Sequence, residues 1–104
     1  MSGASGASGA STLTAGASAA DVLRAVRARV LSHGWTPSGS RCVLLTFDRV
    51  VPEACWSGAG RAAWEALRAE LGVASLVAWN HADQELPDVV HAIDRALAGQ
   101  GAPP

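Results

Sequence analysis

The chain has no lysine and no tyrosine, a single phenylalanine and only two cysteines. Each shortage excludes something. All eight cations are arginines set against nine acids, for a net charge of −1. Arginine without lysine is what codon bias in a GC-rich genome produces, so it reads as ancestry and not as phosphate binding. A near-neutral chain offers no electrostatic footprint for nucleic acid or an anionic membrane. The most apolar run, Cys42 to Phe47, falls far short of the roughly 20 residues that a membrane span requires. The N-terminus has neither the cationic start nor the unbroken apolar stretch of a secretory signal. The expectation is a cytoplasmic protein with reduced thiols. Cys42 and Cys55 could in principle join, but a reducing compartment argues against it.

The motifs of metal and phosphate chemistry are missing too. Zinc sites use Cys-x-x-Cys or His-x(3–5)-His pairs; here Cys42 and Cys55 lie far apart, and His81 and His91 straddle a turn and a helix. No Gly-x-Gly-x-x-Gly or Gly-x(4)-Gly-Lys loop is present to hold phosphate. Ser57-Gly58-Ala59-Gly60 only faintly echoes an anion site and reads as loop and cap. Glu53, Asp83, Glu85 and Asp88 fall in turns or at helix starts, where carboxylates complement the helix dipole without any catalytic role. No metal and no cofactor is expected, and no residue is assigned a catalytic role.

What is present begins with Ser-Gly-Ala repeated three times. Such a leader cannot bury enough surface to offset roughly 1–2 kcal/mol of backbone ordering per residue. Residues 1–17 are therefore expected to be disordered, 18–99 to form one globular domain, and 100–104 to be a flexible tail. A domain of about 80 residues buries only about 60% of its unfolded surface and is marginally stable.

Three segments within the domain have helical apolar spacing. From Ala19 to His33, Val22, Val26 and Val30 recur every fourth residue; Ser18 and Asp21 form a capping-box start, and Gly34 supplies the stop. The second helix runs from Gly60 or Arg61 to Leu71, with Ala63, Trp64, Leu67 and Leu71 on one face and Gly72 ending it. Pro87 opens the third at its first position; it carries Val89, Val90, Ile93 and Leu97 to Ala98, and Gly99 stops it. Between them, Arg41 to Phe47 is short, β-rich and continuously apolar, which suggests a buried strand, although a buried helical turn has the same pattern. Val73 to Trp79 is expected to be extended if it pairs with that segment. Asp48 to Gly60 reads as irregular, with one helical turn near Pro52 to Trp56. The expected class is α+β, mostly α: three amphipathic helices around one or two short strands.

Two aromatic motifs give the chain a resemblance. His33-Gly34-Trp35 at the end of the first helix, Arg41-Cys42 in an apolar segment and Trp79-Asn80 before the last helix resemble a family of small actinobacterial proteins of unknown function. The likeness spans most of the ordered region. The chain departs from that pattern at Leu45-Thr46, where the family often has Gly-Ala, and at His81, where it usually has Asp. The resemblance bears on the fold and implies no activity, substrate or cofactor.

Tryptophan is the most informative residue type, with four in a chain that has one phenylalanine. Trp64 fits the core stripe of the second helix. Trp35, Trp56 and Trp79 sit at element ends or loops, where an indole N–H needs a partner. They are either bulky plugs for an alanine-rich core or the lining of an exposed binding patch. The leading expectation is a non-enzymatic interaction module that binds a protein partner or itself, with Trp35, Trp56, Trp79 and Asn80 as candidate binding residues. The alternative is a small thiol enzyme or redox sensor. Cys42 in its apolar run behaves as a small hydrophobe, so Cys55, beside Trp56 and before Ser57-Gly58, would be the nucleophile, with His33, His81 or His91 as base. A DNA-binding accessory tracking phosphates with Arg24, Arg27 and Arg29 is a third reading. Against it, the third helix, which would have to enter the groove, carries Asp88, Asp94 and only Arg95.

Overall fold

A computed structural model describes residues 13, 16–36, 42–52, 56–80 and 84–101. Five α-helices follow one another among the described residues: α1 Ala19–His33, α2 Val43–Val50, α3 Arg61–Leu71, α4 Leu76–Asn80 and α5 Leu86–Gly99. A π-helical turn, Trp56–Gly60, runs directly into α3. No strand is present among the described residues. The expected α+β class is therefore overturned, and the described fold is all-α.

Helices α1, α3 and α5 pack pairwise around a common interior; α2 lies against α1, and α4 against α2. The interior is built from the spacings visible in the sequence. Val22, Leu23, Val26 and Val30 of α1, Ala63 and Leu67 of α3, and Val89, Ala92, Ile93, Ala96 and Leu97 of α5 are all buried. Each valine, leucine or isoleucine among them contributes roughly 1.5–3 kcal/mol by leaving water. Arg27 of α1 donates to Asp94 of α5 at 2.6 Å, and Arg95 of α5 reaches Glu70 of α3 at 3.1 Å, so two of the helix pairs are also tied at their edges.

The helix ends follow local chemistry. The Ser18 backbone N–H donates to the Asp21 carboxylate at 2.9 Å, and the Asp21 N–H donates to the Ser18 hydroxyl at 3.1 Å, closing the capping box. Gly34, at φ 84°, donates to the Val30 carbonyl and turns the chain out of α1. Gly72 ends α3 in the left-handed region at φ 66°, a conformation glycine adopts without a Cβ penalty. Arg68 then holds the turn, donating to the Val73 carbonyl at 3.0 Å. Glu85 and Asp88 form a second capping box at the start of α5, which places Pro87 one position inside the expected start. The expected stop is displaced as well: Gly99 stays helical, and Gly101, at φ 72°, makes the left-handed turn.

The two expected strands are helices for a reason that packing supplies. In the first, Cys42, Thr46, Phe47 and Val50 are buried while Leu44, Leu45, Asp48 and Arg49 are exposed. That is a one-turn repeat, and the alternation of a half-buried strand would require successive residues to change sides. The run looked continuously apolar because two leucines occupy the outward face. In the second, Ser75 caps α4, its hydroxyl accepting from the Ala78 N–H at 3.2 Å, and Leu76 and Asn80 are buried one turn apart.

Leu13, inside the expected leader, is partly buried against the core, and Gln100 and Gly101 hydrogen-bond back to the end of α5. Apart from Gly16 and Ala17, the remainder of the leader lies outside the described residues, as do residues 102–104 of the tail and the expected helical turn between Pro52 and Trp56 except for its two ends.

Candidate functional site

Two of the candidate binding residues meet each other. The Trp35 indole N–H donates to the Asn80 side-chain oxygen at 2.6 Å, across 45 positions of sequence. Asn80 is fully buried, and Trp35 packs against the core. A buried amide left without partners would cost about 1–3 kcal/mol, and an indole N–H in the same place needs an acceptor. The bond meets part of both needs. It also joins the turn after α1 to the end of α4, so the His-Gly-Trp and Trp-Asn motifs form one internal tie. Trp79, the neighbour of Asn80, is partly buried against the core as well.

Trp56 has a different setting. It stacks at a tilt of 35° beside Phe47, ring centroids 6.2 Å apart, and Trp64 meets the same Phe47 edge-on at 5.1 Å. Phe47, on the inner face of α2, is fully buried. It therefore acts as the post against which both indoles lean. On their outer side the indoles line an open groove of about 450 Å³, completed by Leu44 from α2 and by Ser57, Arg61 and Glu65. Leu44 and Leu45 are 42% and 38% exposed. Together the elements give an apolar surface with a polar rim, the layout of an interface core.

The groove departs in one respect from the residues that sequence reasoning selected. Trp56 is in it, whereas Trp35, Trp79 and Asn80 form or adjoin the tie between α1 and α4. Trp64, assigned to the core stripe, is a groove wall; of the two leucines assigned to a buried strand, Leu44 lines the groove and Leu45 is exposed beside it in sequence. The available signal for Trp64 was its place beside Arg61 and Glu65, the polar face of α3. A bulky indole at the border of an apolar stripe can serve both sides.

The rim is unequally paired. Glu65 is held by Arg68, whose Nε and Nη2 donate to it at 3.0 and 2.8 Å. Arg61 takes part in no ion pair among the described residues, nor do Asp48 and Arg49 on the outward face of α2.

For covalent or metal chemistry the described residues bring little together. Cys42 is a free, buried thiol at the start of α2, and His33 and His91 are exposed. Cys55 and His81 lie outside the described residues. No three His, Cys, Asp or Glu side chains among the described residues gather closely enough to hold a metal ion. No described helix is long and apolar enough to cross a membrane. The one carboxylate with a resolved perturbation among the described residues is Asp21: the Ser18 backbone N–H, opposed by desolvation and aided by the Ser18 hydroxyl and Arg24, holds it below its ordinary value. That is a helix-cap effect, remote in role from the groove.

Compared with protein-family models, curated proteins and solved structures, the chain matches none. The chemistry of the groove is therefore read from its own residues.

Proposed function

We propose that the protein is a non-enzymatic interaction module and that the groove walled by Trp56 and Trp64 is where it docks another protein surface. The observation that carries this reading is an exposed leucine, Leu44, lining one groove with two half-buried indoles. Tryptophan at the border between core and solvent is the residue type most enriched at binding hot spots, because a large apolar face is already ordered before contact. Leu44, Trp56 and Trp64 make the groove surface mainly apolar, with Ser57, Arg61 and Glu65 at its rim, which suits an apolar side chain from a helix or loop. A free, buried Cys42 thiol fits residence in the cytoplasm, where thiols stay reduced.

Panning a random-peptide library against the wild-type chain, with counter-selection on Leu44→Glu, tests the reading. Amphipathic peptides should emerge that bind the wild type and lose about tenfold or more on the variant. Failure to recover any peptide that distinguishes the two proteins would remove the groove as a docking surface.

A further inference from the structure

Two polar side chains are buried among the described residues, Thr46 and Asn80. Asn80 accepts from the Trp35 indole. The Thr46 hydroxyl, on the inner face of α2 and 3% exposed, has no hydrogen-bond partner among the described residues. Native interiors seldom leave such a group unsatisfied, and each exception calls for a cause. One turn back on the same face stands Cys42, a free thiol whose carbonyl accepts from the Thr46 N–H at 2.8 Å. Helical side chains lean toward the N-terminus, so the Thr46 hydroxyl is aimed at the Cys42 end of α2.

That end lacks a cap. Cys42 is the N-cap residue and makes no side-chain hydrogen bond there, because a thiol sulfur is a weak acceptor. The first N–H groups of a helix have no partner within it. At α1 and α4 the hydroxyls of Ser18 and Ser75 answer that need. An oxygen on the Cys42 sulfur would do the same for α2. It lies two bonds beyond Cβ, where an aspartate N-cap carries its carboxylate oxygen, in reach of the Leu44 and Leu45 N–H groups and the Thr46 hydroxyl. We propose that Cys42 is a site of oxidation by hydroperoxides and that its sulfenic acid is the missing cap of α2. The sulfur attacks one peroxide oxygen, the O–O bond breaks, and the departing oxygen takes the thiol proton and leaves as water or an alcohol. Sulfur loses two electrons and the peroxide gains them. Cys42 is 7% exposed, and the oxidant enters when α2, eight residues without a cap of its own, opens locally. The proposal is independent of what the groove binds, since its test reads only sulfur chemistry and α2.

The full chain, treated with hydrogen peroxide at neutral pH and then with dimedone, which traps sulfenic acids, is mapped by mass spectrometry. Cys42 should carry the adduct in the native chain. When dimedone is added after increasing delays, Thr46→Val, which keeps the shape but loses the hydroxyl, should shorten the sulfenic acid's lifetime about fivefold. Without dimedone, the Leu44 and Leu45 amide protons should exchange about fivefold more slowly in the oxidised chain than in the reduced one. Cys42→Ser, whose hydroxyl caps without oxidation, should show slow exchange with or without peroxide. An unlabelled Cys42, or a Cys42–Cys55 disulfide in place of the adduct, overturns the proposal. So does a lifetime that Thr46→Val leaves unchanged, or exchange at Leu44 and Leu45 that oxidation does not slow.

Discussion

The two sides of the molecule are built on different terms. On one side α1, α3 and α5 bury most of their apolar stripes against one another, α1 and α5 start in capping boxes, and ion pairs join α1 to α5 and α3 to α5. On the other, the short helices α2 and α4 have little local support. The α2 N-cap, Cys42, makes no side-chain cap, and α4 is a single turn of five residues. Isolated helices of such lengths do not persist in water, since nucleation outweighs the few hydrogen bonds gained. They are held by what they pack on: Phe47 between two indoles, and Asn80 against Trp35. The contrast separates residues that make the fold from residues that the fold displays.

The sharpest way to break that contrast is to truncate one leucine on each side. Leu97→Ala in the α1–α3–α5 interior should cost about 2–5 kcal/mol, a large part of the stability of a small domain. Leu44→Ala on the outward face of α2 should stay within about 0.5 kcal/mol. Urea denaturation followed by circular dichroism reads both, and equal losses would mean that the groove flank is part of the core.

A smaller effect is expected at the seam between the two sides. Asn80→Ala removes the acceptor of the Trp35 indole and should cost about 1–3 kcal/mol. The Trp35 indole N–H resonance should move with it while the Trp64 resonance holds. An unchanged Trp35 signal would show that the two motifs are not tied.

The smallest effect concerns the cap of α1. Hydrogen bonding from Ser18 lowers the Asp21 pKa in the folded chain, so the ionised carboxylate favours folding. That contribution is complete above the unfolded-state value near pH 4 and is lost as pH falls through the lowered folded value. Asp21→Asn should therefore be less stable than wild type at neutral pH, and the gap should close in acid. A pH-independent difference between the two denaturation midpoints would show that the charge on Asp21 does no work. Asp21 is exposed, so solvent screening keeps the effect modest.

The same division explains what could be read from the sequence. The α1 and α3 boundaries were legible because their caps, glycine stops and apolar spacings are local signals that agree with one another. The end of α5 lies one residue past the expected Ala98 and its left-handed glycine two past the expected Gly99, because Gly99 and Gly101 are both competent stops. The strands were misread at α2 and α4, where eight and five residues are too few to reveal a period. An apolar run also does not show which of its members face outward. At the candidate site, Trp56 was legible as an aromatic outside any helical stripe. Trp64 was not, because its place in the stripe is real and its second role depends on Phe47 arriving from another helix. The Trp35–Asn80 bond joins residues 45 positions apart, which no local pattern encodes.

The central claim is that the Trp56–Trp64 side meets another protein surface while the Trp35–Asn80 side is closed. The four indole N–H resonances, followed by nuclear magnetic resonance as a peptide selected against the groove is added, report on both at once. The signals of Trp56 and Trp64 should shift as it binds while those of Trp35 and Trp79 stay in place. Four stationary signals, or a Trp35 signal that moves first, would contradict it.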